Sequence, residues 1–401
     1  MTAADPGLRS DGTRPIRVAF GLPDPRRWTG GYQYFVNLFR TLHRYGMGTV
    51  RPVVFVAEDA DETSLAPLAA GVAEIVRSPA FSAASSAGRL TDALLWGRDR
   101  RAARIYDELG IQVVFESATY HGWRFGLPTI AWLPDFQHRL LPGIFGWRAR
   151  WQREIGFRAQ IASARAVMVS SESSRRDCER FYPSGASKIH VVPFAAELPP
   201  EAGAVPVARA MQQYGMHARY FYLPNQFWEH KNHRVVIDAL GLLKQRGLNV
   251  TVAASGSDAD HRRAGLIRTL KARVAELRIN EEFRFLGLIP RADVYALMRG
   301  AVALINPSLF EGWSTTVEEA RALGVPMLLS DIPVHREQAG GQASFFDPKS
   351  AESVAAALRG SLDSTPAVRP EPQTGPGDGP HNQRLRAYAH NVEALIAEVA
   401  A

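Results

Sequence analysis

The chain has 401 residues, of which 46% are hydrophobic and 22% charged, with a net charge of +7. That length suits two domains of about 100–200 residues each. The single cysteine, Cys178, excludes an internal disulfide and fits a reducing cytosol, and no run approaches the roughly 18 consecutive apolar residues of a membrane-spanning helix.

The first 15 residues are polar and lack an apolar export core, so a loose tail in a cytoplasmic protein is expected. A strand over 16–22 comes next, then a loop and a helix over 32–45. Strands follow at 53–56, 113–115, 129–132, 167–169 and 189–192. Helices are expected over 89–109, 148–164 and 173–181. Strands alternating with helices imply a parallel sheet covered on both faces. Residues 193–206 carry Pro, Ala and Glu without periodicity and read as an interdomain connection. The alternation then repeats, with strands at 220–223, 250–254, 283–286, 302–305 and 327–329. Its helices fall over 232–246, 259–277, 291–299, 316–323 and 350–362. Residues 364–380 are rich in Pro and Gly and read as flexible. A final amphipathic helix over 382–400 carries Leu385, Tyr388, Val392, Leu395, Ile396 and Val399 at helical spacing and needs a partner surface.

The resulting division is a tail (1–15), a first Rossmann-like domain (16–197), a linker (198–206), a second Rossmann-like domain (207–363), a flexible segment (364–381) and the last helix (382–401). The fold class is α/β, two doubly wound domains facing across a cleft, with ligands expected at the carboxyl ends of the strands.

The charge is uneven. Residues 1–200 hold 25 Lys/Arg against 19 Asp/Glu, and the remainder 22 against 21. Between Arg139 and Arg180 nine arginines stand against four acids. This region suits peripheral contact with an anionic membrane surface, acidic glycans, or simply a solvated helix face. No run of interleaved aromatic and basic residues there suggests base stacking, so nucleic acid is not an expected partner. Trp132, Trp147 and Trp151 are expected to pack inside rather than to form a membrane or acceptor surface.

The most informative stretch runs from Asn306 to Glu319. Glu311 follows an apolar strand, and Thr315 with Glu318 reads as a capping box, so a helix is expected to begin near Thr315. Glu319 then lies just over one turn into that helix. Between the two glutamates are the unpaired amides of a helix start, a favourable place for a diphosphate. Carboxylates on both sides of an anion site suit a nucleotide sugar, which has hydroxyls at both ends. A second loop, Pro224 to His233, sets Asn225, Gln226 and Lys231 between a strand and a helix, and Lys231 there can pair with phosphate. Gly30-Gly31 opens the first helix, where glycine permits close backbone approach.

The run Glu311-Gly312-Trp313-Ser314-Thr315-Thr316-Val317-Glu318-Glu319-Ala320, followed by Ser330 to Glu337, resembles the donor-site signature of retaining GT-B glycosyltransferases of the sucrose-synthase-like type (family 4, "group 1"). The resemblance implies that Glu311 faces the donor sugar and Glu319 binds the ribose hydroxyls. It also implies that the backbone of Gly312, Trp313, Ser314 and Thr315 meets sugar and phosphate. The family's paired phosphate-binding Arg and Lys fall on Gln226 and Lys231, so one cation is replaced. Phe285 to Gly287 matches a segment near the base, which places Gly287 and Leu288 there. Gly30 and Gly31 match the family's glycine-rich loop. Its His-Asp pair falls on Pro134-Asp135, leaving Asp135 and the nearby His138 as expected cleft residues. The implied partners are a nucleotide-diphosphate sugar and a glycan or lipid-linked acceptor, with no cofactor and no metal ion. Alternatives are a GT-B epimerase or phosphorylase and a non-catalytic nucleotide-sugar-binding regulator on the same scaffold.

Overall fold

The computed structural model describes residues 14–25, 28–69, 71–117, 119–216, 219–258, 265–362 and 377–401. Most of the expected tail (1–15) and of the Pro/Gly-rich segment (364–381) lies outside them.

The chain begins β1 (Ile16–Gly21), α1 (Thr29–Tyr45), β2 (Val50–Val56), α2 (Glu62–Leu65) and β3 (Glu74–Arg77). It continues through α3 (Ala83–Leu95), α4 (Arg100–Glu108), β4 (Val113–Ser117), β5 (Thr129–Trp132), α5 (Gln137–Leu140) and α6 (Trp147–Ser163). Next come β6 (Ala166–Val169), α7 (Glu172–Phe181), β7 (Ile189–Val191) and α8 (Val207–Gln213). The second series is β8 (Tyr220–Leu223), α9 (His233–Gln245), β9 (Thr251–Ser255), α10 (Leu266–Glu276), β10 (Phe283–Gly287) and α11 (Arg291–Gly300). It closes with β11 (Leu304–Asn306), α12 (Thr315–Ala322), β12 (Met327–Ser330), α13 (Pro333–Ala339), β13 (Ala343–Phe346), α14 (Ala351–Leu362) and α15 (Pro380–Ala400).

Two compact units result, Met1–Phe136 with Trp147–Ala195 and Pro376–Ala401, and Gln137–Gly146 with Ala196–Gly375. The first holds a sheet in the order β3-β2-β1-β4-β5-β6-β7 and the second a sheet in the order β10-β9-β8-β11-β12-β13. Every pairing is parallel. Central strands such as β8 and β12 are buried along their whole length. That is why they appear in the sequence as unbroken apolar runs. Each sheet is doubly wound, the α/β fold that the alternating pattern predicts.

The structure departs from the sequence reading in three places. β3 and β13, which were not expected, are edge strands with only partly buried side chains. The helix expected over 89–109 is two helices. Gly97 turns the chain at φ +71, and buried Asp99 caps α4 through the amide of Ala102. The expected linker is packed, since Leu198 and Ala202 lie in the core of the second unit beside Ala210 and Tyr220.

The apolar stripe of α15 finds its partner on α1, β1, β4 and β5. All six of its predicted positions are buried. Asn382 accepts from the Tyr45 hydroxyl at 2.6 Å. Glu393, also buried, accepts from the amides of Met47 (2.7 Å) and Thr49 (2.9 Å) in the turn after α1. Trp132 is buried as expected and stacks on Tyr34 at 3.9 Å. Trp147 and Trp151 are not packed inside. They stand 70% and 61% exposed on α6, together with Ile155 at 60%.

Glu393→Ala leaves two amide donors without their acceptor. It is expected to lower the unfolding free energy by about 2–4 kcal/mol in urea titration. An unchanged midpoint would show that this carboxylate does not hold α15 in place.

Candidate functional site

In the second sheet β8 and β11 are neighbours, but the chain leaves β8 for β9 on one side and β11 for β12 on the other. This is the topological switch point, where the loops beyond the carboxyl ends open a crevice. Asn306, fully buried at the end of β11, ties the two loops together. Its side-chain oxygen accepts from Asn225 Nδ2 (3.3 Å) and lies 2.7 Å from the Ser308 hydroxyl oxygen, and its amide donates to Ser314 Oγ at 2.9 Å. Asn232 adopts the left-handed conformation (φ 54) that asparagine tolerates, and donates to the carbonyls of Pro307 and Pro348.

Lys231, from the loop after β8, reaches Glu311, from the loop after β11. Its Nζ donates to Glu311 Oε1 at 2.6 Å, and Ser308 Oγ donates to the same oxygen at 2.7 Å. Side-chain exposures of 13% and 9% make this a nearly buried ion pair. Burial alone would raise the Glu311 pKa. Lys231 outweighs burial and holds the carboxyl below its ordinary value. Lys231 has three donors, and one is taken up by Glu311.

α12 begins at Thr315, but the capping box expected from Thr315 and Glu318 does not form. The N-cap residue is Ser314, extended at φ −94 and ψ 116, and its hydroxyl makes no capping bond. That hydroxyl instead meets Asn306 and, at 3.1 Å, Thr316 Oγ1. Glu318 is fully buried and accepts from Gln338 Nε2 at 2.9 Å. Ser314 N–H donates to Gln338 Oε1 (3.1 Å), so it is not part of an anion cradle as expected from the sequence. The first-turn amides of Thr315, Thr316 and Val317 have no intrahelical acceptor, as at any helix start. One turn on, Glu319 Oε1 accepts from Arg291 (2.5 Å) and from the Tyr295 hydroxyl (3.1 Å). Its Oε2 makes no hydrogen bond among the described residues.

Gln226 occupies the position that the resemblance gives to an arginine. Its carbonyl oxygen accepts from Ser257 N–H at 2.7 Å, fastening this loop to the one after β9. Gly287 turns at φ +70 and its carbonyl accepts from Gly256 N–H at 2.9 Å. Leu288, next to it, is 77% exposed. In the first unit the space over Gly31 is filled by the Trp28 ring, 2.4 Å from where a Cβ would sit. Glycine there makes room for an indole. Asp135 lies 3.5 Å from Arg153 NH1, and His138 is fully buried in α5.

The sequence reading missed Asn306, Ser308, Arg291, Tyr295, His335 and Gln338, which act through partners distant in the chain. His335, on α13, is completely buried, with Nδ1 at 3.0 Å from Ser330 Oγ and 3.1 Å from the Ser330 carbonyl. A carbonyl only accepts, so Nδ1 carries the proton and Nε2 presents a lone pair. Nε2 has no hydrogen-bond partner. Ser330 Oγ donates onward to the Ser308 carbonyl at 2.6 Å. Burial drives the His335 pKa down to about 4, and that of His233 to about 3.

Both imidazoles are therefore neutral when folded and protonate near pH 6.5 when unfolded. The unfolded chain binds more protons between pH 6.5 and 4, so stability is full above pH 6.5 and declines as pH falls through that window. His335 alone contributes about 3 kcal/mol to the decline. In urea titrations the loss between pH 7 and pH 5 should be about 1–2 kcal/mol smaller in His335→Asn than in the parent chain. An equal loss would show that His335 is not its source.

The pattern of the family Glycosyl transferases group 1 matches residues 209–370. The chain is 25% identical over 199 residues to EpsF of Bacillus subtilis, named a glycosyltransferase, a match covering 49% of this chain and 50% of that protein. It is 26% identical over 140 residues to the O-antigen chain mannosyltransferase RfbU of Salmonella typhimurium, covering 35% of this chain and 37% of that one. The chain thus spans about half the length, or less, of these relatives. The structure of Anabaena Alr3699/HepE, solved with UDP and glucose, shares the fold with a TM-score of 0.63 at 16% identity, over 96% of this chain and 94% of that one. The matched stretch, residues 209–370, carries Lys231, Glu311 and Glu319.

Proposed function

We propose that the chain is a retaining glycosyltransferase that moves a hexose from a nucleotide-diphosphate sugar to a glycan or lipid-linked acceptor in cell-surface polysaccharide or glycolipid synthesis. The observation that carries this reading is the buried Lys231–Glu311 pair at the switch point, beside the start of α12. Breaking a sugar–phosphate bond builds positive charge at the anomeric carbon and negative charge on the leaving diphosphate. The two remaining Lys231 donors and the amides of Thr315 and Thr316 are suited to the second charge. Glu311, held ionised, accepts a sugar hydroxyl, and Glu319 Oε2 accepts from the ribose. The acceptor attacks on the face the diphosphate leaves, and the diphosphate takes its proton. The diphosphate is met by these groups without a divalent ion. The glycan acceptor class rests on the name of RfbU, and a hexose carried on UDP on the ligands solved with HepE.

The reading extends to peripheral attachment at the inner face of the membrane. No helix among the described residues is long and apolar enough to cross a bilayer. On α6, however, Trp147, Trp151 and Ile155 recur every fourth residue on one exposed stripe, flanked by exposed Arg148 and Arg150. Indoles with arginines beside them suit the headgroup region of an anionic leaflet.

A thermal-shift screen with UDP, GDP, ADP and TDP sugars should raise the unfolding midpoint with at least one of them. With that donor, Glu311→Gln and Lys231→Met are each expected to lower kcat/KM at least tenfold, a loss of about 1.4 kcal/mol or more. Folded variants that turn over like the parent would reject the site. Binding without transfer or hydrolysis across a broad acceptor panel would favour the regulator instead. In sedimentation, vesicles containing phosphatidylglycerol should carry the chain down and phosphatidylcholine vesicles should not. Replacing Trp147, Trp151 and Ile155 with Ser should abolish the difference, and failure of the parent chain to sediment would contradict the attachment.

A further inference from the structure

Gln338 lies on α13, 24 residues beyond Ser314, and is 1% exposed. Its side-chain amide engages both polar groups of the Ser314 backbone. Oε1 accepts from Ser314 N–H at 3.1 Å, and Nε2 donates to the Ser314 carbonyl at 2.8 Å. The second Nε2 proton goes to Glu318 Oε1 at 2.9 Å. These partners fix which end of the amide is oxygen, since an N–H only donates and a carbonyl only accepts. The arrangement copies the pairing of a residue in a β-ladder, and Ser314 accordingly has the extended backbone of a strand, which is also the backbone an N-cap residue requires.

Two consequences follow for the start of α12. The Ser314 N–H is drawn into the protein, away from any ligand. The Ser314 hydroxyl is held by Asn306, so it does not cap the helix and leaves the first-turn amides uncovered. A serine at an N-cap ordinarily occupies one of those amides itself.

We propose that Gln338 is a positioning residue for the donor diphosphate. By clamping the Ser314 peptide it sets the direction of the part-exposed Thr315 and Thr316 amides and leaves them free of a side-chain cap. This rests on the nucleotide-sugar reading given above, and it adds a residue that touches neither sugar nor phosphate.

The test compares a nucleoside diphosphate with its own nucleoside, using whichever of UDP, GDP, ADP or TDP the parent chain binds most tightly. Dissociation constants come from calorimetry for the diphosphate and ligand-observed NMR for the nucleoside, with thermal midpoints recorded for each variant. Gln338→Met keeps the length of the side chain and removes its polar groups. It is expected to weaken the diphosphate at least tenfold while the nucleoside changes less than twofold. Gln338→Glu keeps an acceptor for the Ser314 amide but sets a carboxylate against Glu318, so it should weaken the diphosphate at least as much. Adding Glu318→Gln to that variant returns a donor to the pair and should restore part of the affinity. This double variant carries the test if Gln338→Met does not fold. Diphosphate affinity unchanged in a folded Gln338→Met, or an equal loss for diphosphate and nucleoside, would overturn the positioning role while leaving the nucleotide-sugar reading intact. Failure of the parent chain to bind any of the four would remove both.

Discussion

The second unit is organised around one buried ion pair. Lys231 and Glu311 come from loops after adjacent strands, 80 residues apart in the chain, and meet at 2.6 Å with little exposure. Such a pair is worth little as a source of stability, because desolvating two charges offsets most of their attraction. Removing one partner is another matter, since the charge left behind is buried alone at a cost of roughly 3–5 kcal/mol. The pair therefore fixes the register of the two loops against each other. It also holds a cation and an ionised carboxylate at the switch point, where an α/β sheet binds its ligands.

Around that pair the polar groups are nearly all committed. Asn306 links both loops, Ser308 shares Glu311 Oε1 with Lys231, and Ser330 fastens the Ser308 carbonyl to α13. The groups left over are the ones a nucleotide sugar would use: two lysine donors, the first-turn amides of α12, and one oxygen of Glu319. His335 belongs to the supporting layer. It is held neutral by burial, so it adds no charge beside Glu311 at neutral pH.

Sequence alone conveyed the sheets well where strands are central and poorly at their edges. Tyr220–Leu223 and Met327–Ser330 are buried on both faces and stand out as apolar runs, whereas the edge strand Glu74–Arg77 mixes charge with apolar residues and gives no period. The break in the helix over 89–109 had a local signal in Gly97 and Asp99 that helical periodicity overran. At the site, the residue types at 231, 311 and 319 were legible because loop, strand and helix signals surround them. Their bonding was not. The capping box read from Thr315 and Glu318 does not form, because the N-cap residue is Ser314 and its side chain and backbone are tied to Asn306 and Gln338, and neither tie has a local signature. The same holds for Gln226, whose side chain is taken up by Ser257. Asp135 and His138 were singled out by family position alone, and the structure gives them an arginine neighbour and complete burial, respectively.

The account stands or falls on where an activated sugar comes to rest. A crystal of the chain soaked with the nucleotide sugar that raises its unfolding midpoint decides this directly. The account predicts diphosphate density within hydrogen-bonding distance of Lys231 Nζ and the amides of Thr315 and Thr316, with the hexose against Glu311. Density for the intact ligand elsewhere, with the Lys231–Glu311 pair untouched, would contradict it.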